Sequence, residues 1–140
     1  MGMSGSTPVK SPGDPVPGYE RMAIRNTTKQ MTLADRAAMA VTPQQKNQGL
    51  LKHTSLEPGD GLWIKGTNAV HTFFMKFPID LIYLTKEKKV VKTRRAVGAW
   101  KLSMAMGAAS ILELPAGVIE ATGTEPGDQL EFLRVGEKSA

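Results

Sequence analysis

The stretch Ile79–Val91, with the sequence IDLIYLTKEKKVV, indicates the fold class of this chain. Its first part, Ile79–Leu84, has the length of a strand and consists mainly of β-branched, aromatic and other apolar residues. The charged segment Thr85–Lys89 forms the predicted tip of a hairpin, and Val90 and Val91 begin the returning strand. A hairpin in the middle of the chain favours a fold built mainly from β-strands.

Further strands are predicted on both sides of this hairpin. They are short apolar or alternating runs at Leu62–Ile64, Val70–Phe74, Ser110–Leu114 and Leu130–Val135. The tetrapeptide Glu-Pro-Gly-Asp occurs twice, at Glu57–Asp60 and Glu125–Asp128. Its proline and glycine favour a type II turn, because that turn needs a φ of about −60° followed by a positive φ.

Two short helices are predicted between the strands. Thr42 supplies an N-cap hydroxyl and Pro43 suits the first helical position, so a helix of about two turns is expected at Pro43–Leu51. A second helix begins near Pro115 and ends at Gly123, a residue typical of helix ends. Such helices are too short for crossovers between parallel strands. The pattern therefore favours a mainly β fold, a small barrel-like or sandwich-like single domain with two short helices.

The chain has 140 residues, which suits one domain. Its first 18 residues include 11 prolines, glycines and serines, so residues 1–18 are expected to be a flexible arm and residues 19–136 the globular domain. The absence of cysteine excludes disulfides and cysteine nucleophiles. Without a signal-like segment or a long apolar run, we expect a soluble cytoplasmic protein with no membrane span, or a secreted or periplasmic one if a signal sequence preceded Met1.

Four motifs follow one another along the globular part: Gly49–Leu51 (GLL), His71–Asp80 (HTFFMKFPID), Leu112–Gly117 (LELPAG) and Pro126–Asp128 (PGD). In this order and spacing they resemble the DUF192 family of uncharacterised prokaryotic proteins, over roughly residues 39–132. Many relatives carry tryptophan where Phe74 stands, and residues 94–103 match only loosely. The resemblance implies a mainly β, barrel-like single domain in a family with no established activity.

Two carboxylates stand in predicted strands among apolar residues. Alternation within Ile111–Leu114 places Glu113 on the face of Ile111. Burial of an isolated carboxylate costs several kcal/mol, so Glu113 needs a partner or an opening to water. It is either a structural group or a cavity carboxylate with a raised pKa that serves as a general acid or base. Asp80 also enters an apolar surface, either as a strand-end cap or as a second candidate acid or base.

His71 and Lys76 lie in one strand-like run, where alternation places them on opposite faces. If Lys76, Asp80 and Glu113 converge, they form a charged cluster at one mouth of the barrel. The leading hypothesis is a noncatalytic module that binds a small molecule or a protein through His71, Lys76, Asp80 and Glu113. The alternative is an enzyme that uses Glu113 or Asp80 on a small substrate. The methionine-rich run Ser103–Gly107 is either core or a partner-binding loop.

No metal and no cofactor are predicted. His53 and His71 could join Asp80 or Glu113 as nitrogen and oxygen ligands, but their spacing matches no metal motif. The sequence also lacks a serine-nucleophile elbow and a glycine-rich phosphate loop.

The formal net charge of +5 is unevenly distributed along the chain. Residues 86–101 contain seven basic residues against Glu87, a local excess of +6. A second alternative is therefore weak polyanion binding through Lys88, Lys89, Lys92 and Arg94. No aromatic residue interleaves with residues 86–95, so we expect this binding to be lost near physiological salt and do not expect a nucleic-acid partner.

Overall fold

The computed structural model describes residues 20–40 and 56–135. The arm predicted for residues 1–18 and the helix predicted at Pro43–Leu51 lie outside these ranges. Nine strands and one short helix form within the described residues. They are β1 (Glu20–Asn26), β2 (Met31–Ala40), β3 (Leu62–Lys65), β4 (Ala69–His71), β5 (Ile79–Leu84), β6 (Val90–Val97), β7 (Leu102–Met104), β8 (Ser110–Pro115), α1 (Val118–Thr122) and β9 (Leu130–Arg134).

Seven of these strands form one curved sheet in the order β6-β5-β8-β3-β2-β1-β9. All neighbouring pairs are antiparallel except β2 and β3. The two edge strands meet at one end, where the Val90 N–H donates to the Asp128 carbonyl at 2.8 Å and the Gly127 N–H donates to the Val90 carbonyl at 2.8 Å. The sheet therefore curls into a half-barrel, which confirms the predicted mainly β, barrel-like fold.

The sheet carries a hydrophobic core on each face. On the inner face of the half-barrel, Trp63, Ile82 and Leu112 pack with Ile119 of α1. On the outer face, Leu62, Leu81, Tyr83 and Ile111 pack beneath a separate two-stranded ribbon made of β4 and β7. Strand β5 is buried along its whole length, because both of its faces meet a core.

The structure corrects the predicted strand Val70–Phe74. Strand β4 ends at His71, because the Met75 N–H donates to the Thr72 carbonyl at 3.1 Å and so replaces the ladder with a turn. Phe74 then adopts a left-handed φ of 65°, which no strand permits. The second helix ends before Gly123, as predicted, but begins at Val118 because strand β8 continues through Pro115.

Three strands, β1, β2 and β7, were not predicted. Strand β2 contains four alanines, and alanine favours strands only weakly. These alanines are buried because β2 lies inside the sheet, between β1 and β3. Their small side chains let neighbouring parts of the fold pack closely against β2. Their strand conformation thus follows from sheet pairing rather than from local preference.

Both Glu-Pro-Gly-Asp segments form the predicted turns. The Asp60 N–H donates to the Glu57 carbonyl at 3.0 Å, and the Asp128 N–H donates to the Glu125 carbonyl at 3.1 Å. The third residues, Gly59 and Gly127, have φ values of 94° and 96°. These are the positive angles that a type II turn demands of its glycine.

The two turn glycines allow a matched test of steric crowding. Alanine at either position lowers the free energy of unfolding by about 1–2 kcal/mol, because its Cβ is strained in the left-handed backbone conformation. At Gly59 a Cβ would also lie 2.5 Å from Asp35 Oδ1, whereas at Gly127 it would meet nothing within 4 Å. We therefore expect Gly59→Ala to lose about 1 kcal/mol more than Gly127→Ala in urea denaturation. Equal losses would show that the Asp35 side chain moves aside without cost.

Candidate functional site

Glu113 lies in the middle of β8, directly opposite Leu62 of β3 and Leu81 of β5. It is only 6% exposed and shares the face of β8 with Ile111, a member of the outer core. Within residues 20–40 and 56–135, no side chain or backbone group donates a hydrogen bond to its carboxylate or forms an ion pair with it. Burial raises the pKa of the Glu113 carboxyl to about 7, because the charged form is poorly solvated there.

Asp80 lies on the opposite face of the sheet from Glu113, since it pairs with Leu114 rather than with Glu113. Its carboxylate accepts three backbone N–H groups: Ala96 at 2.8 Å, Gly117 at 3.1 Å and Ile119 at 2.8 Å. Two of these donors belong to the start of α1, so Asp80 joins the helix to the sheet. Its oxygens are therefore occupied by the backbone.

The structure does not bring the four predicted pocket residues together. Lys76 is exposed in the loop between β4 and β5. His71 is exposed at the end of β4, where its Nδ1 accepts the Phe73 N–H at 3.3 Å and its ring lies 4.8 Å from the Phe73 ring. Asp80 and Glu113 lie on opposite faces of the sheet, so Lys76, Asp80 and Glu113 do not form one charged cluster.

A cleft of about 450 Å³ lies against the two-stranded ribbon instead. Its walls come from both strands of the ribbon: Ala69, Val70, His71, Leu102, Ser103 and Met104. Ser103 is buried and accepts a hydrogen bond from the Tyr83 hydroxyl of β5, which ties the ribbon to the sheet. Burial raises the pKa of Tyr83, which keeps that hydroxyl a donor. Of the four predicted pocket residues, His71 alone is among the residues that line the cleft.

Thr72 organises the loops beside the cleft, and sequence reasoning missed it. Its buried hydroxyl donates to the Gly98 carbonyl at 2.7 Å and accepts the Lys101 N–H at 2.9 Å. Its carbonyl accepts the N–H groups of Met75 and Trp100, both at 3.1 Å. One threonine thus joins the loop after β4 to the loop before β7. The available signal was its position as a lone small polar residue before two phenylalanines.

An apolar stripe runs along β7 and the residues on either side of it. We use this name for Trp100, Leu102, Met104 and Met106, which are 60%, 74%, 54% and 85% exposed. The Phe74 ring extends the stripe, since its centroid lies 4.7 Å from that of Trp100. Met104 and Met106 are therefore surface residues, not core. The alternation of these apolar residues from 100 to 106 was the sequence signal for the stripe.

The four candidate polyanion residues do not share one surface. Lys88 turns towards the inner core, where its Nζ lies 5.2 Å from the Trp63 ring. Lys92 donates from Nζ to the Met104 carbonyl at 2.8 Å and lies over the Tyr83 ring. Arg94 is half-buried on β6, and Lys89 is exposed at the tip of the hairpin. The basic excess along the sequence is thus divided between several directions in space.

Residues 20–40 and 56–135 contain neither a metal-binding cluster nor a membrane-spanning helix. There, no group of three or more histidines, aspartates and glutamates is arranged to hold a metal ion. No helix in those residues has the length and apolar character needed to cross a bilayer. His53, the other histidine considered as a metal ligand, lies outside the described residues.

Two solved structures share this fold. A "putative transcription regulator" from Sinorhizobium meliloti 1021 has a TM-score of 0.72 and 23% sequence identity, over 86% of this chain and 98% of that one. A protein of unknown function from Novosphingobium aromaticivorans DSM 12444 has a TM-score of 0.71 and 20% identity, over 91% and 99%. At these identities the similarity concerns the fold alone.

Two relatives, both named UPF0127 protein, are similar in sequence. The one from Thermococcus sibiricus is 37% identical over 73 residues, which is 51% of this chain and 47% of the relative. The one from Pyrococcus furiosus is 38% identical over 68 residues, which is 48% and 58%. The chain thus spans about half the length of these relatives. The sequence model of DUF192, described as "Uncharacterized ACR", matches residues 24–132. The chain therefore belongs to the DUF192 family.

Proposed function

We propose that this domain is a noncatalytic binding module that holds an apolar ligand group in the cleft of the β4–β7 ribbon. The observation that carries this proposal is the cleft itself, with a volume of about 450 Å³ and walls made largely of Ala69, Val70, Leu102 and Met104. A concave, mostly apolar site with a few polar groups is the usual form of a ligand pocket. His71 and Ser103 supply the polar groups here.

The backbone around the cleft supports a preformed site. Ser103 accepts a hydrogen bond from Tyr83 of the sheet, and Thr72 joins the loop after β4 to the loop before β7. A site that is rigid before binding loses less conformational entropy when a ligand enters. The ribbon is therefore suited to binding without a large rearrangement.

The chemistry around the two carboxylates favours a noncatalytic role. General acid–base catalysis needs a titratable group within hydrogen-bond reach of the reacting atoms, and commonly a second one nearby. Asp80 is occupied by three backbone N–H groups. No titratable side chain of the described residues hydrogen-bonds to Glu113, whose side chain is buried. Neither carboxylate lines the cleft.

Titration with Nile red, a neutral dye that fluoresces in apolar sites, tests the cleft. We expect saturable, blue-shifted emission with the wild type, and a dissociation constant about tenfold weaker for Ala69→Leu, whose added side chain fills the cleft. Ala121→Leu is the matched control, because Ala121 is an exposed alanine in α1. If the two variants bind the dye equally well, or if the wild type does not saturate, the cleft is not the binding site.

A further inference from the structure

We propose that the apolar stripe docks on the surface of an anionic lipid bilayer, with Lys76 and Lys101 contacting the headgroups. This inference rests on the proposed function, because Leu102 and Met104 belong both to the stripe and to the wall of the cleft. The apolar group in the cleft would then come from the bilayer.

The stripe is more apolar than a surface that faces only water. The outer face of a two-stranded ribbon normally alternates with the core face and carries polar residues. Here every second residue from Trp100 to Met106 points outward and is apolar, while Ser103 and Ala105 between them are buried. Contiguous exposed apolar surface of this kind marks an interaction site.

Both exposed aromatic residues beside the cleft have a strained backbone, and they are two of the five non-glycine residues with a positive φ in the described part of the chain. Phe74 and Trp100 have φ values of 65° and 66°, which bulky residues rarely adopt. Thr72 holds both loops in place through its hydroxyl and its carbonyl. The fold thus maintains two strained loops whose aromatic rings project outward, and strain of this kind tends to occur at binding surfaces.

The positive charges near the stripe favour an anionic partner. Lys92 lies against the stripe, since its Nζ donates to the Met104 carbonyl at 2.8 Å. Asp80, the acid closest to Lys76 along the chain, is buried and its oxygens accept backbone N–H groups. Lys76 and Lys101 are exposed within two residues of Phe74 and Trp100 along the chain, and neither pairs with an acid of the described residues.

The kinds of residue on this surface favour lipid over protein as the partner. Protein interfaces are enriched in aromatic residues, methionine and arginine but depleted in lysine, so the lysines next to the stripe aromatics are the feature that favours lipid. Tryptophan, phenylalanine and leucine beside lysine are typical of segments that lie in the bilayer interface. The long lysine side chains can reach the phosphates while the apolar residues enter the acyl region.

Vesicle co-sedimentation of the full chain at about 150 mM salt tests the proposal, since nonspecific attraction is weak there. The vesicles contain equal parts of phosphatidylcholine and phosphatidylglycerol, and pure phosphatidylcholine is the comparison. We expect binding to the anionic vesicles only. Lys76→Glu with Lys101→Glu should weaken it by about tenfold or more, and Met106→Gln by about tenfold.

Matched controls distinguish docking through the stripe from a general effect of net charge or of exposed apolar side chains. Lys86→Glu with Lys89→Glu makes the same charge change at the hairpin tip, and Met31→Gln makes the same side-chain change at an exposed methionine of β2. Both controls should bind the vesicles as the wild type does. Equal binding to neutral vesicles, or an equal loss in the hairpin-tip variant, would overturn the proposal.

Two other results also contradict lipid docking and show what covers the stripe or the cleft instead. A dimer in sedimentation velocity that Met106→Gln dissociates, without vesicle binding, would show that a second copy of the chain covers the stripe. Nile red binding that is sensitive to Ala69→Leu, without vesicle binding, would overturn lipid docking and leave the cleft proposal standing. Loss of both kinds of binding would remove both proposals.

Discussion

Replacing Asp80 with alanine should lower the free energy of unfolding by about 3–5 kcal/mol. The carboxylate is fully buried and accepts N–H groups from Ala96, Gly117 and Ile119. Removing it leaves three backbone donors without their acceptor, two of them at the start of α1. We expect the midpoint of urea denaturation to fall accordingly, and the helix to detach from the sheet first.

Two variants show whether the lost hydrogen bonds cause this effect. Asp80→Asn keeps one acceptor oxygen, so its loss should be smaller than that of alanine but clearly measurable. Asp35→Ala is the matched control, because Asp35 is exposed and its pair with Arg36 lies at the surface, where such pairs contribute little. If Asp80→Ala unfolds within about 1 kcal/mol of the control, the three bonds are not needed for stability.

Glu113 should make the stability of the protein fall as the pH rises. Its pKa is about 7 in the folded chain against an ordinary value of 4.5, so the native state binds more protons than the unfolded state between these values. The contribution of the neutral carboxyl is therefore fully present below pH 4.5 and is lost as the pH rises through 7. At about 1.4 kcal/mol for each pKa unit, the loss amounts to about 3 kcal/mol.

The variant Glu113→Gln tests this directly, because glutamine has the same shape and does not ionise. We expect it to equal the wild type near pH 4.5 and to be more stable by about 3 kcal/mol at pH 8. Glu131→Gln makes the same chemical change at an exposed position of β9 and serves as the control. Its free energy of unfolding should stay close to that of the wild type at both pH values. A variant that is less stable than the wild type at pH 8 would indicate that the Glu113 carboxylate has a favourable partner.

Local sequence patterns were enough to predict the fold class and several elements. Ile79–Leu84 is a strand with the predicted bounds, because five of its six residues are apolar or aromatic, as burial on both faces favours. The two Glu-Pro-Gly-Asp turns formed as predicted, because proline and glycine restrict φ within the turn itself. In the turns the deciding forces act between residues close together in the sequence.

The candidate site depended on contacts that no local pattern contains. Alternation predicts opposite faces for His71 and Lys76 as members of one strand, but Thr72 bonds to Gly98 and Lys101 and the chain turns there. Glu113 and Asp80 lie on neighbouring strands, yet the register of β5 with β8 sends them to opposite faces.

Burial of charged and small residues also depended on the tertiary arrangement. Alternation placed Glu113 beside Ile111, as observed, but only the packing of β3, β5 and the ribbon shows that no described residue compensates its charge. The Met-rich segment satisfied the pattern of a core strand, and its exposure follows from the ribbon lying on the outside of the sheet. Sequence periodicity says which residues share a face, whereas burial depends on what packs against that face, and that is decided by elements distant in the chain.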